Sequence, residues 1–167
     1  MRVTIRPAVR DDAPMLPAVE HSASRRFLEI PDLASLPDEE NLSVRAHQRY
    51  TALGTEWVAE ADDRDLVGFL AAEVLLNVLH IWELAVRQDV QGRGIGRQLV
   101  NTAVSFAQDR GLVSVTLTTF SDVPWNAPWY SRLGFQIDSN DTRLASVVRA
   151  ELERGLPRRC AMRKTLL

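Results

Sequence analysis

The sequence predicts a mixed α/β domain built on a central sheet. Three observations carry this. Amphipathic helical segments fill the first third of the chain, apolar and alternating runs with no helix between them follow, and the last part alternates strand, helix, strand, helix, strand. The 167 residues suit one domain spanning 1–167, because a chain of this size buries roughly 70% of its unfolded surface.

Val3-Thr4-Ile5-Arg6 alternates and stops at Pro7, as a short strand would. Asp11 and Asp12 can cap a helix carrying Met15, Leu16, Val19, Phe27 and Leu28, with Pro14 and Pro17 disturbing its first turns. Ile30 to Pro37 reads as a loop. Pro37-Asp38-Glu39-Glu40 looks like the start of a helix running to Leu53 and stopped by Gly54. Glu56 to Glu60 alternates, Asp62 to Asp65 is a polar turn, and Leu66 to Leu76 is apolar enough for a strand buried on both faces. Val78 to Val86 is the next strand. Gly94 to Arg110 is a helix whose Ile95, Leu99, Thr102 and Phe106 form one stripe. Val113 to Thr119 alternates as a strand. A short helix over about 126–133 ends at Gly134, Phe135-Gln136-Ile137 begins a strand, Leu144 to Arg154 allows a turn or two of helix, and Cys160 to Leu166 closes with a strand.

Composition excludes several function classes. Twenty basic residues against 22 acidic ones give a net charge of −2, without the basic footprint of a nucleic-acid binder. Small molecules or a modest protein surface are the expected partners. One cysteine, Cys160, permits no intrachain disulfide framework, and the N-terminus has no apolar signal core, so a cytoplasmic location is expected. The apolar stretch from Leu66 to Trp82 would put Glu73 near a bilayer centre at about 2.5–3.5 kcal/mol, so two buried strands account for it better than a membrane span. His21, His47 and His80 are scattered, with no metal-ligand spacing, and no metal is expected. Cys160 reads as packing.

The chemistry concentrates at Gln91-Gly92-Arg93-Gly94-Ile95-Gly96, between a strand and a helix. Such a turn offers free backbone N–H groups and the positive end of the helix dipole to phosphate oxygens. The dinucleotide fingerprint fails because Arg97 stands where its third glycine belongs, and the Walker pattern fails for want of Gly-Lys-Ser/Thr. A nucleotide-binding domain of another type is disfavoured accordingly.

Gln-x-x-Gly-x-Gly after a strand, followed some thirty residues later by Asn126-Ala127-Pro128-Trp129-Tyr130-Ser131-Arg132-Leu133-Gly134-Phe135, resembles the GNAT family of acetyl-CoA-dependent N-acetyltransferases. The resemblance covers nearly the whole chain. It implies the GNAT acyl-CoA N-acyltransferase fold, with a mixed, mostly antiparallel sheet flanked by helices, and acetyl-CoA as cosubstrate. It implies that Gln91, Gly92, Arg93, Gly94, Ile95 and Gly96 grip the coenzyme pyrophosphate, with Arg93 and Arg97 as charge partners. Leu84, Ala85 and Val86 match the stretch along which the pantetheine arm pairs, the Leu84 amide polarising the thioester carbonyl. Asn126 would contact the arm, and Tyr130, four residues on, would protonate the departing thiolate. Tyr130 could also simply pack against Leu133 and Phe135, which with Gly134 read as structural.

The acceptor amine must lose a proton before it attacks. His80, on the parity of Trp82, Leu84 and Val86, and Glu83, on the opposite parity, are the candidate bases, with a water relay as the remaining route. Trp125 and Trp129 could shape an acceptor pocket or fill core. Asp32, Asp38, Glu39 and Glu40 could attract a cationic amine or form a solvated helix start. The expected function is transfer of acetyl to a primary amine of a small molecule or protein; the alternative is a non-catalytic coenzyme-A-binding sensor or partner module. A homodimer could form, with the C-terminal strand pairing across an interface.

Overall fold

The computed structural model describes residues 1–36 and 41–166. The helix start expected at 37–40, with Asp38, Glu39 and Glu40, lies outside the described residues. The elements are β1 (Val3–Pro7), α1 (Leu16–Ser24), α2 (Val44–Ala52), β2 (Glu56–Ala61), β3 (Leu66–Leu75), β4 (Val78–Val86), α3 (Ile95–Asp109), β5 (Ser114–Phe120), α4 (Ala127–Arg132), β6 (Gln136–Ile137), α5 (Thr142–Glu153) and β7 (Arg159–Thr165). Seven strands are ordered β1-β2-β3-β4-β5-β7-β6. β4 and β5 pair in parallel, from Val78–Ser114 to Ile81–Leu117, and α3 makes the crossover that a parallel pair needs. The chain divides into two compact units, Met1–Glu73 with Glu83–Ser105, and Val74–Trp82 with Phe106 onward.

In the first unit, β1 and β2 pair antiparallel from Val3–Ala61 to Pro7–Trp57. Arg6 ties that pair to the next segment: its guanidinium reaches Asp12 at 2.8 Å and Glu60 at 2.7 Å. The prolines have the effect the sequence suggested. Arg10–Met15, holding Pro14, is a 3-10 turn, and α1 begins only at Leu16 with Pro17 in its first turn. Helix α2 starts at Val44 because Ser43 caps it, accepting a hydrogen bond from the Ala46 amide. One core cluster joins Leu16 and Val19 of α1, Tyr50 of α2, Val58 of β2, and Phe69 and Ala71 of β3. His47 sits inside this unit with no exposure, its Nδ1 2.6 Å from Glu56 Oε1.

The stripe on α3 differs from the expected one. Ile95 and Leu99 are buried, but with them go Val100, Ala103, Val104 and Ala107, while Thr102 and Phe106 stay half-buried. Small alanines give little periodic signal, yet they let a helix approach closely. Gly68 of β3 has the same use: a Cβ there would stand 3.0 Å from the Ala85 carbonyl oxygen and 3.4 Å from Leu99 Cδ1.

In the second unit, β7 pairs with β5 along seven positions, Ser114–Thr165 to Phe120–Arg159, and with β6 at Gln136–Arg163 and Ile137–Met162. β7 lies between β5 and the two-residue β6, so it is not the last strand of the sheet. Helix α5 is longer than expected, 12 residues rather than a turn or two. The Asp141 side chain caps it, accepting from the Arg143 and Leu144 amides. Arg163 of β7 fastens that cap, reaching Asp141 Oδ2 at 2.7 Å, Asp138 Oδ2 at 2.8 Å and Ser114 Oγ at 2.5 Å. The sole lysine, Lys164, donates to the Leu133 carbonyl at 2.8 Å, closing the C-terminal end of α4 beside Gly134. Gly134 takes φ +93°, and a Cβ there would meet Lys164 Nζ at 2.6 Å.

Candidate active site

The first unit holds the glycine turn. Arg87 to Gly94 lead from β4 into α3, and Gly92 and Gly94 take φ of +77° and +81°, the left-handed region that side chains rarely adopt. Nothing lies within 4 Å of where a Cβ would stand on either. The turn is therefore open above both glycines, and it stands at the head of a 15-residue helix. Arg93 and Arg97 are exposed and make no ion pair among the described residues. Gln91 faces inward instead: its Nε2 donates to the Val86 carbonyl at 2.8 Å, pinning the turn to the end of β4.

Other side chains absent from the sequence reading hold the approach to the turn. Arg87 spans Asp65, in the β2–β3 turn, and Asp89, at 2.5 and 2.8 Å, and its guanidinium is held charged by those carboxylates. The Gln88 amide donates to Ser22 Oγ at 3.0 Å, tying the same segment to α1. Along β4, Ala85 is buried while Glu83, Leu84 and Val86 are half-buried. A pocket of about 110 Å³ beside the turn is lined by Met1, Val3, Arg93, Ile95 and Gln98.

The second unit holds His80, Asn126 and Tyr130. Asn126 is the residue before α4, and its backbone carbonyl accepts from the Tyr130 amide at 2.9 Å. Its side-chain Oδ1 is buried with no hydrogen-bond partner among the described residues, a costly arrangement that a ligand N–H would relieve. Tyr130 is 7% exposed. Its ring packs edge-on against Trp129 at 4.9 Å and Phe135 at 5.6 Å, so the ring is held and the aromatic run has a packing use as well. Trp125 and Trp129 are half-buried.

His80 is 1% exposed. Its Nδ1 shares a hydrogen bond with Thr116 Oγ1 at 2.8 Å, and its Nε2 is buried with no hydrogen-bond partner among the described residues. The Trp82 ring, which is 37% exposed, meets it edge-on at 4.3 Å. Burial lowers its pKa to about 4, helped by the positive field of Arg143 and opposed by Asp141. The imidazole is therefore neutral at ordinary pH, and in the tautomer that donates Nδ1–H to Thr116 a lone pair remains on Nε2. Thr116, Asp141 and Arg143 are neighbours that no local pattern in the sequence announces.

The seven-stranded, mostly antiparallel sheet flanked by helices is the architecture of solved acetyltransferases. The chain superposes on the PaiA N-acetyltransferase of Thermoplasma acidophilum, solved in complex with coenzyme A, with TM-score 0.75 and 17% identity, covering 99% of this chain and 100% of that one. It superposes on the ribosomal-protein-S18-alanine N-acetyltransferase of Escherichia coli with TM-score 0.68 and 18% identity, over 98% and 94% of the two chains. The model of the acetyltransferase (GNAT) family matches residues 18–135, and the chain belongs to that family. A curated relative, mycothiol acetyltransferase of Rhodococcus jostii (strain RHA1), is 29% identical over 144 residues, 82% of this chain and 46% of that protein. The chain thus spans less than half the length of that relative.

Proposed function

We propose that the chain transfers the acetyl group of acetyl-CoA to an amine. The observation that carries this reading is the Gln91–Gly96 turn. Two left-handed glycines, with nothing within 4 Å of where a Cβ would stand on either, open it at the head of α3, in a chain of the GNAT family. Backbone N–H groups and a helix dipole suit a pyrophosphate, and the exposed Arg93 and Arg97 add charge. The orphaned Asn126 Oδ1 is an acceptor for an amide N–H of the pantetheine arm. The Leu84, Ala85 and Val86 backbone would pair with the same arm.

In this reading the acceptor nitrogen forms its bond to the acetyl carbonyl carbon while the carbon–sulfur bond breaks. The Leu84 amide stabilises the oxyanion that develops between those events. Tyr130 gives its hydroxyl proton to the departing thiolate. The ammonium proton of the acceptor goes to His80 Nε2, buried and without a hydrogen-bond partner among the described residues. Glu83, half-buried on β4, is the alternative base.

The coenzyme assignment is tested by thermal unfolding with acetyl-CoA, NAD or ATP at equal concentration. A ligand at 100 times its dissociation constant adds about 2.7 kcal/mol. Acetyl-CoA should raise Tm by several degrees and the other two should not; a larger shift with NAD or ATP would refute the assignment.

A further inference from the structure

We propose that Lys164 is the positioning residue of the proton donor Tyr130: its ammonium fastens the C-terminal end of α4 to β7 and so fixes where the tyrosine hydroxyl stands. The inference rests on the acetyltransferase reading and on Tyr130 as its acid.

Helix α4 runs only from Ala127 to Arg132, and no side chain caps its N-terminus. A helix this short does not hold itself in water, so its attachments decide where it sits. Tyr130 belongs to the closing turn. Its carbonyl accepts the Leu133 amide at 2.9 Å and the Phe135 amide at 3.1 Å, and the Ser131 carbonyl accepts the Gly134 amide at 3.1 Å. With Gly134 at φ +93°, the bonds from Phe135 and Gly134 are those of a glycine-terminated helix end. The Phe135 ring, 5.6 Å from the Tyr130 ring, adds the apolar contact that accompanies such an end. The backbone and the ring of Tyr130 are thus both held by the residues that stop the helix.

Those residues are anchored in turn by one side chain. The Leu133 carbonyl takes no part in the bonds just described and accepts Lys164 Nζ at 2.8 Å. Lys164 lies on β7, opposite Val115 of β5. The bond therefore ties the end of a short helix to the sheet, with a cation at the negative end of the helix. The fit is close, since a Cβ on Gly134 would stand 2.6 Å from Nζ. Lys164 is the one lysine of a chain otherwise supplied with arginine, and a compact ammonium suits this space better than a planar guanidinium. A hydroxyl that must reach one sulfur atom tolerates little displacement, and 1 Å of misplacement can cost about 10²-fold in rate. Without the ammonium, α4 keeps its glycine end but loses its fixed place against β7, and Tyr130 moves with it.

The test uses K164M, which keeps the apolar stem, and K164R, each alone and combined with Tyr130→Phe. The chain has two tyrosines, Tyr50 and Tyr130, so isotope-labelled tyrosine gives two ring signals, which Tyr130→Phe assigns. K164M should shift or broaden the Tyr130 signal and leave that of Tyr50, and K164R should restore it in part. Single-turnover acetylation of n-propylamine at saturating acetyl-CoA should fall about 10- to 100-fold in K164M. Coenzyme affinity by calorimetry should hold, because the glycine turn belongs to the other unit. Once Tyr130 is Phe, K164M should cost no further turnover. An unmoved Tyr130 signal overturns the inference, as does full turnover in K164M. So does an equal loss from K164M in both backgrounds, which makes Lys164 a support of the fold alone. If n-propylamine is not acetylated, the tyrosine signals decide by themselves. If K164M does not fold, G134A, whose Cβ displaces the ammonium, takes its place in every arm with the same outcomes. A full-rate Tyr130→Phe instead overturns the acid role on which the inference stands.

Discussion

Removing one oxygen atom from Tyr130 separates its proton from its packing. The ring's edge contacts to Trp129 and Phe135 survive in Tyr130→Phe, so coenzyme affinity and Tm should hold. Turnover should fall by about 10²–10⁴-fold, the usual general acid–base contribution; single-turnover rates check this, and a full-rate mutant removes Tyr130 from the chemistry. His80 makes a second residue-scale prediction. Its pKa of about 4 lies below the ordinary 6.5, so the unfolded chain takes up this proton first. Its share of stability is complete above pH 6.5 and is lost as pH falls toward 4. The window is worth on the order of 3 kcal/mol at 1.36 kcal/mol per unit. Urea unfolding from pH 4 to 7 should show that slope in wild type and lose it in His80→Gln; parallel slopes would mean that the imidazole is not held neutral. Turnover of the same variant, set against Glu83→Gln, distinguishes the two bases. His80→Gln should depress turnover, and Glu83→Gln should act mainly on acceptor KM or stability.

At the scale of elements, the glycine turn is the most exposed claim. Gly94→Val puts a β-branched side chain at φ +81°, where strain of about 1–3 kcal/mol is expected. The Cβ itself meets no protein atom within 4 Å, so the fold should persist while the space the pyrophosphate needs is taken. Calorimetry should find coenzyme binding abolished with Tm only modestly lowered; unchanged affinity would make the turn purely structural. This turn was legible because its glycines, the preceding strand and the following helix are local in sequence. What escaped was non-local. The start of α2 is set by the Ser43 cap, and α5 is a full helix because Asp141 is braced by Arg163 on β7. The α3 stripe shifted because Ala103 and Ala107, weak in any periodic pattern, are the residues buried. At the site, His80 and Tyr130 could be named in advance, but Thr116 lies 36 positions from His80 and comes to it only through strand pairing.

For the whole molecule, a local reading reached the fold class and the C-terminal strand, but not the place of that strand in the sheet. β1 to β4 follow sequence order, whereas β7 enters between β5 and β6, a choice made by pairing rather than by propensity. Among the described residues no helix is long and apolar enough to cross a membrane, in keeping with strands rather than a span over Leu66 to Trp82. The proposed reaction moves an acetyl group from a thioester to a nitrogen. Its most direct test incubates purified protein with acetyl-CoA and a panel of amines, reading free thiol and acetylated amine together. Thiol and acetylated product should appear in equal amounts for at least one amine, and both should collapse in Tyr130→Phe. Acetyl-CoA bound to the protein, with no thiol released to any amine of the panel, would contradict the claim and leave a binding module in its place.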